Sequence, residues 1–283
     1  MKILILFIYS KDEHYDKMLQ VQRSYCHKHD NIRSFFVTYR KNQQNDVELD
    51  NDIVYVKGEE TYLGITRKTI YAMEYLLNKF QDIDFVVRSN MSTVINIPEL
   101  KSFCSTLPKT DVYTSGMILD LQWLDPNSGI VDKSLWGTKY ASGTSIILSK
   151  DLAGKLVKDK DRIRHDIVDD VAIGVFMKDV HKNDAPIAKF ISVTSGIEAN
   201  TIDTDVVFYR TRSGGCRTSD IRNMWTICNL LYKTEEGFAV YMNEKTSTNI
   251  DKGVVVLGFL FIGYGSFVLG RHIFKNKLFS KST

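Results

Sequence analysis

Residues 2–9 read Lys2-Ile3-Leu4-Ile5-Leu6-Phe7-Ile8-Tyr9; Ser10-Lys11-Asp12-Glu13 breaks this apolar run, and Tyr15 to Tyr25 then carries helical spacing through Met18, Leu19, Val21 and Tyr25. An unbroken apolar run reads as a strand buried on both faces, and the spacing after it as one face of a helix. Together they predict a β-loop-α unit. The same vocabulary recurs downstream. Strand-like Ser34–Tyr39 and Asp52–Val56 flank a polar, loop-like Lys41–Asn51. Ile65, Ile70, Met73, Leu76, Leu77 and Phe80 then fall at helical spacing, and Phe85-Val86-Val87 follows as a short buried strand. Strands alternating with helices predict an α/β domain with a mostly parallel central sheet flanked by helices. Ligands bind such sheets beyond the carboxyl ends of the strands, which points to the loops after Tyr9 and Val87.

The second half is more mixed. Asp111–Tyr113 resumes a strand, Leu119–Tyr140 reads as an irregular excursion bearing Trp123 and Trp136, and Ser145–Ser149 is a β-branched strand. Lys150–Lys160 reads as a helix and Val206–Arg210 as a strand. Thr218–Tyr232 reads as a helix capped by Thr218 or Ser219, with Asp220 in its first turn. Residues 1–242 are expected to form one domain, 243–252 a polar linker, 253–270 an apolar segment and 271–283 a basic tail.

The 283 residues carry a formal charge of only +3, with Lys and Arg interspersed among Asp and Glu, so composition gives no case for a nucleic-acid partner. Cys26, Cys104, Cys216 and Cys228 match neither a zinc pattern nor a disulfide framework and are expected to be reduced. The N-terminal apolar run is too short and too strand-like for a signal peptide, so the folded domain is expected in the cytosol. Gly253 to Gly270 has no charged residue and is followed by Arg271, His272, Lys275, Lys277 and Lys281. That length just reaches across a bilayer core, and basic residues behind it suit lipid headgroups. The segment reads as a single-pass C-terminal membrane anchor; the alternative is a buried hairpin turning at Gly263-Tyr264-Gly265.

Two features bring chemistry. Tyr140-Ala141-Ser142-Gly143-Thr144 is a loop in which Ser142 and Gly143 let the backbone approach a ligand closely. Some twenty residues later Asp169-Asp170 open a helix, where free N–H groups and the helix dipole favour an ionised carboxylate, as suits a general base. Equally, the pair caps a helix. Adjacent helical residues diverge by about 100°, so one aspartate at most can face a reacting centre.

In order, Glu60-Thr61-Tyr62 with Lys68-Thr69, Asp84-Phe85-Val86-Val87-Arg88, Tyr140 to Ala153, and Asp169 to Gly174 resemble the motifs of the β-1,3-galactosyltransferase and Fringe-like glycosyltransferases. The resemblance covers roughly Lys2 to Tyr232 and rests on the succession of motifs. It implies a GT-A fold, a nucleotide-diphosphate-sugar donor, most readily a UDP-sugar, a glycan or lipid-linked acceptor, and inversion at the anomeric carbon. It also implies that Asp170 is the base, with Asp169 orienting or replacing it.

One departure matters. Where those enzymes carry an acidic Asp-x-Asp cluster for a divalent cation, Mn or Mg, this chain has Arg88-Ser89-Asn90-Met91-Ser92-Thr93. Asn90 and Ser92 are weak ligands for a hard cation, which makes metal dependence doubtful. Asn90 is instead suited to hydrogen-bond ribose or diphosphate; as a plain alternative, the segment is a polar turn. Arg210, Arg212 and Arg217, around Gly214-Gly215 and before a helix, offer guanidinium forks for a diphosphate, or else form a solvated basic loop. Ser10, Arg23 and Lys68 complete the donor set, beside Arg88, Asn90 and Ser92. Trp123, Trp136 and Tyr140 form an aromatic platform for a sugar or are core, with Ser142 and Gly143 beside them on the acceptor side. No metal ligand set is assigned. The competing reading is a catalytically silent, membrane-tethered nucleotide-sugar or glycan-binding protein.

Overall fold

The computed structural model describes residues 1–194, 202–234 and 237. Met1–Thr234 forms one compact unit. The segments read as linker, apolar anchor and basic tail lie outside the described residues. Among the described residues no helix is long and apolar enough to cross a membrane.

The first half follows the predicted alternation: β1 (Ile3–Ile8), α1 (Glu13–Cys26), β2 (Ile32–Arg40), β3 (Val47–Asp50), β4 (Ile53–Lys57), α2 (Ile65–Lys79) and β5 (Phe85–Asn90). Next come β6 (Thr93–Ile95), α3 (Ile97–Ser105), β7 (Tyr113–Thr114), β8 (Ile118–Asp120), β9 (Lys139–Ala141) and β10 (Ser145–Ser149). The remaining elements are α4 (Lys150–Lys158), α5 (Asp169–Lys178), β11 (Phe190–Val193), β12 (Phe208–Thr211) and α6 (Arg217–Tyr232).

The main sheet has seven strands in the order β3-β4-β2-β1-β5-β10-β7. Its centre, β4-β2-β1-β5, is parallel, while β3, β10 and β7 are antiparallel to their neighbours, so the sheet is mixed. Ile3 to Phe7 have no exposed surface, as the continuous apolar run requires of a strand covered on both faces. Leu4 and Leu6 share a core with Ile70, Met73 and Leu76 of α2, while Phe7 stacks on Phe36 at 5.3 Å. Each such side chain contributes about 1.5–3 kcal/mol through burial. The chain leaves β1 for β2 on one side and returns to β5 on the other, so the strand order reverses at β1 and opens a crevice at the carboxyl ends.

Several boundaries differ from the sequence reading. Lys41–Asn51 is not all loop: Val47–Asp50 pairs with β4 as a half-exposed, charged edge strand, too short and polar for its period to register. The strand expected over Phe85–Val87 runs on to Asn90, because β1 and β10 pair with it on both sides. The expected polar turn over 89–93 shrinks to Met91-Ser92 before β6, which with β12 and β11 forms a second sheet. Helix α6 begins at Arg217 with Cys216 as its cap residue, so Thr218 and Ser219 lie inside it.

Candidate active site

The crevice holds a cavity of about 450 Å³, within the range of small-molecule sites. It is bounded by the end of β1 (Ser10), the end of β5 (Arg88, Asn90), the turn into β10 (Ser142, Gly143), the start of α5 (Asp169, Asp170), β12 (Arg210) and the start of α6 (Arg217). Residues scattered over 200 positions thus meet because β5 and β10 run antiparallel, so that the end of β5 lies beside the turn into β10, and the start of α5 joins them at the cavity.

The two aspartates divide as helix geometry demands. Asp169 turns into the protein: Arg88 Nε donates to its Oδ2 and Nη2 to its Oδ1, both at 2.8 Å, and Thr69 Oγ1 donates to Oδ2 at 3.0 Å. The ion pair is almost completely buried, at 4% and 1% exposure. Arg88 Nη1 also donates to Asn90 Oδ1 at 2.7 Å and to the Gly143 carbonyl. With both oxygens engaged, Asp169 is the counter-ion of Arg88, which corrects the expectation that it could replace Asp170 as base.

Asp170 is partly exposed and faces the cavity. Gly143 N–H donates to its Oδ2 and Val171 N–H to its Oδ1, both at 2.9 Å. Its carboxyl titrates above the ordinary range, first because burial penalises the charge and then because Asp169 is adjacent; Arg88 and the two N–H groups oppose the rise. A carboxylate whose proton affinity is raised in this way is a stronger base than a free one whenever it is ionised. Gly143 also acquires a reason. A Cβ there would stand 2.6 Å from Arg88 Nη1 and 3.2 Å from Asp170 Oδ2. The close approach that demands glycine is therefore to Arg88 and Asp170, rather than to a ligand.

Two arginines line the same cavity. Arg210 Nη1 donates to Ser92 Oγ, and the guanidinium is shifted down to about 10 by burial and by the neighbouring Arg217. Arg217 Nη1 donates to Asp220 Oδ2 at 3.3 Å and its guanidinium carbon lies 5.7 Å from the Tyr15 ring centre. Asp220 pairs with Arg217, while Arg210 is held by the neutral Ser92 hydroxyl, which leaves positive charge that an anion could meet. Arg212 is exposed and does not line the cavity, a departure from the expected trio.

Other expected residues fall elsewhere. Arg23 points to the opposite end of the sheet, where Nε donates to Asp52 Oδ2 at 2.8 Å and Nη2 to Oδ1 at 2.5 Å. Lys68 is fully buried beneath the cavity. Its Nζ donates to the Tyr9 carbonyl at 2.9 Å and to Glu60 Oε1, so it acts through Glu60, which does line the site. Glu60 in turn accepts from Ser10 Oγ at 3.1 Å and fixes that hydroxyl. Trp136 is outside the lining, with Lys133 Nζ 4.6 Å from its ring centre. Tyr140 is core rather than wall: it is buried and packs with α5. Sequence reasoning missed Tyr15, in the first turn of α1, and gave Glu60 no role. Counter-ions across a fold leave no local spacing by which to find them.

The residues also decide how well a divalent cation would fit. Asn90 Oδ1 already accepts from Arg88, Ser92 Oγ from Arg210, Glu60 from Lys68 and Asp169 from Arg88. Among the described residues no group of three or more His, Cys, Asp or Glu side chains could hold a metal ion. A hard dication wants free carboxylate oxygens, and this donor set does not fit one.

The Galactosyltransferase family model matches residues 37–185, more than half of the chain. No curated protein matches. Among solved structures, a glycosyltransferase involved in the glycosylation of the major capsid of PBCV-1 is similar at 10% identity and a TM-score of 0.45, over 80% of this chain and 99% of that one.

Proposed function

From the premise that the chain belongs to the Galactosyltransferase family, and so is a glycosyltransferase, we propose that it moves a sugar from a nucleotide diphosphate, most readily UDP, to a glycan or glycolipid hydroxyl with inversion, without a divalent cation. The observation that carries this reading is the meeting in one cavity of a partly exposed carboxylate, Asp170, with two arginines, Arg210 and Arg217, of which only Arg217 is paired with a carboxylate. Inversion is a single displacement. Asp170 takes the acceptor hydroxyl proton as that oxygen attacks the anomeric carbon, while the bond to the diphosphate breaks and its electron pair leaves with the phosphate oxygen. Arg210 and Arg217 receive the developing charge, with the α6 N-terminus adding partial positive charge. Arg88 and Asp169 hold Gly143 and hence Asp170. The uncharged stretch 253–270 supports a C-terminal membrane anchor; deleting residues after Asp251 is expected to move the protein from the membrane to the soluble fraction.

Arg210→Gln is expected to weaken UDP binding roughly tenfold or more, as loss of a charge-assisted contact does. Calorimetric titration in the presence of a chelator checks it. Equal affinity for wild type and variant would remove the arginines from the donor site, and affinity that disappears in chelator would restore the cation.

The raised Asp170 carboxyl fixes a pH dependence. A base works only when ionised, so activity is expected to fall on acidification, with a midpoint above the ordinary carboxylate value of about 4. A log(kcat/KM) profile still flat at pH 4 would contradict this.

A further inference from the structure

Between β8 and β9 the chain leaves and rejoins the small sheet through a neck, where Leu121 N–H donates to the Thr138 carbonyl at 3.0 Å and Gly137 N–H to the Leu121 carbonyl at 2.9 Å. Beyond the neck, Asp125 and Ile130 form an antiparallel bridge, each N–H donating to the other's carbonyl at 3.0 Å. The excursion is firmly held. Val168 N–H donates to the Ser128 carbonyl at 3.0 Å, and a Cβ on Gly129 would stand 2.0 Å from the Asp166 carbonyl oxygen, so the bridge packs against the segment leading into α5. Its inward residues, Leu121 and Ile130, are buried in the core. Several of its outward residues are apolar too. Trp123, Leu124, Val131 and Trp136 are 43%, 47%, 68% and 41% exposed, and make up four of the seven exposed large apolar side chains among the described residues. The pairing gathers them: Leu124 and Val131 are the next opposite pair on the neck side of the bridge, and each indole lies within two residues of the neck.

At the foot of the neck lies a hollow of about 270 Å³, lined by Gly137 and Thr138 together with Lys139, Lys178 and Lys182. All three lysines are exposed, and no acid lines the hollow. Lys182 Nζ donates to the Met177 and Val180 carbonyls at 2.8 and 3.4 Å; Asp120 stands opposite Lys139 across β8 and β9 without an ion pair. Exposed apolar side chains gathered in one place mark a membrane or protein contact. Three observations favour a bilayer here. Tryptophan is enriched at the membrane–water interface, and uncompensated lysines match anionic headgroups. The chain also carries its own uncharged stretch, 253–270, with 18 residues between it and Thr234, a tether of about 60 Å at full extension. We propose that the 121–138 excursion is a second membrane contact: Trp123, Leu124, Val131 and Trp136 enter the headgroup layer of an anionic bilayer while Lys139, Lys178 and Lys182 meet lipid phosphates. This rests on the anchor reading of 253–270, but it has a readout of its own.

The test reads where the indoles sit. The chain has three tryptophans, Trp225 is buried at 4% exposure, and 253–270 contains none. Full-length protein is reconstituted into phosphatidylcholine vesicles, with and without phosphatidylserine, whose acyl chains are either brominated near the headgroup or unlabelled. Bromine quenches indoles that touch the lipid. Emission is expected to fall by about half in brominated vesicles, since two of the three indoles are exposed, and to fall further with phosphatidylserine. Trp123→Phe with Trp136→Phe is expected to abolish the quenching. Lys139→Gln with Lys178→Gln and Lys182→Gln is expected to abolish the phosphatidylserine increment, and a wild-type response without that increment refutes the lysine contacts. Equal emission from brominated and unlabelled vesicles, or quenching that persists in the double tryptophan variant, overturns the inference. So does unquenched wild-type protein that sediments as a dimer, which gives the patch to a second copy. Flotation judges the anchor separately. Unquenched wild type that floats keeps the anchor and refutes the loop contact; quenched wild type whose double tryptophan variant no longer floats keeps the loop contact and refutes the anchor.

Discussion

Replacing Asp170 with Asn is expected to lower kcat for sugar transfer by roughly 10²–10⁴-fold, the usual share of a positioned general base, with little change in fold or UDP affinity. Two effects nearly cancel in its stability. The amide satisfies one of the two N–H groups that now bind the carboxylate, Gly143 N–H and Val171 N–H. At the same time it removes a half-buried charge adjacent to Asp169, whose repulsion adds to desolvation in raising the Asp170 carboxyl. On the proposed reading the nucleotide is held by Arg210 and Arg217 rather than by Asp170, so its affinity is expected to be independent of this change. A variant losing UDP affinity in proportion to kcat would show that Asp170 binds the donor rather than activating the acceptor.

Asp169→Asn acts differently, through stability. It strips the counter-ion from Arg88, which is 4% exposed and has no other carboxylate partner among the contacts described. Breaking one side of a buried pair costs about 3–5 kcal/mol, so a fall in melting temperature of roughly 6–20 °C is expected for a domain of this size. Replacing both partners with apolar residues, Arg88→Met with Asp169→Leu, is expected to recover much of that stability without recovering activity. Gly143 then loses the arginine that holds its carbonyl, and Asp170 loses its fixed partner. Thermal unfolding of the single and double variants decides it: equal destabilisation would mean that the pair is not a coupled unit.

The parts of this fold that were legible are those where one physical pattern dominates. β1 is a pure apolar run and α2 has a clean helical stripe; both are placed within a residue or two of their expected ends. β3 and α3 were not read, since Val47-Glu48-Leu49-Asp50 and Ile97–Ser105 are too short or too mixed to show a period. In the site, Ser10, Arg88, Asn90, Ser92, Ser142, Gly143, Asp170, Arg210 and Arg217 were expected together and line one cavity. Arg23, Lys68 and Trp136 were not separable from them by sequence. Helix phase alone does not tell which end of the sheet Arg23 faces. Asp52, Glu60 and Lys133, which occupy these three side chains, lie close only after folding or carry no motif. Asp169 and Asp170 are the clearest case: adjacent and chemically identical, they are divided by Arg88, 81 positions away.

The most direct measurement is nucleoside diphosphate release by the full-length protein from a panel of nucleotide-sugar donors, with a carbohydrate acceptor and a chelator present, alongside the anomeric configuration of the product. The account expects acceptor-dependent release that persists in chelator, an inverted linkage, and loss of both release and product in Asp170→Asn. No release from any donor, or release that Asp170→Asn leaves unchanged, would contradict it.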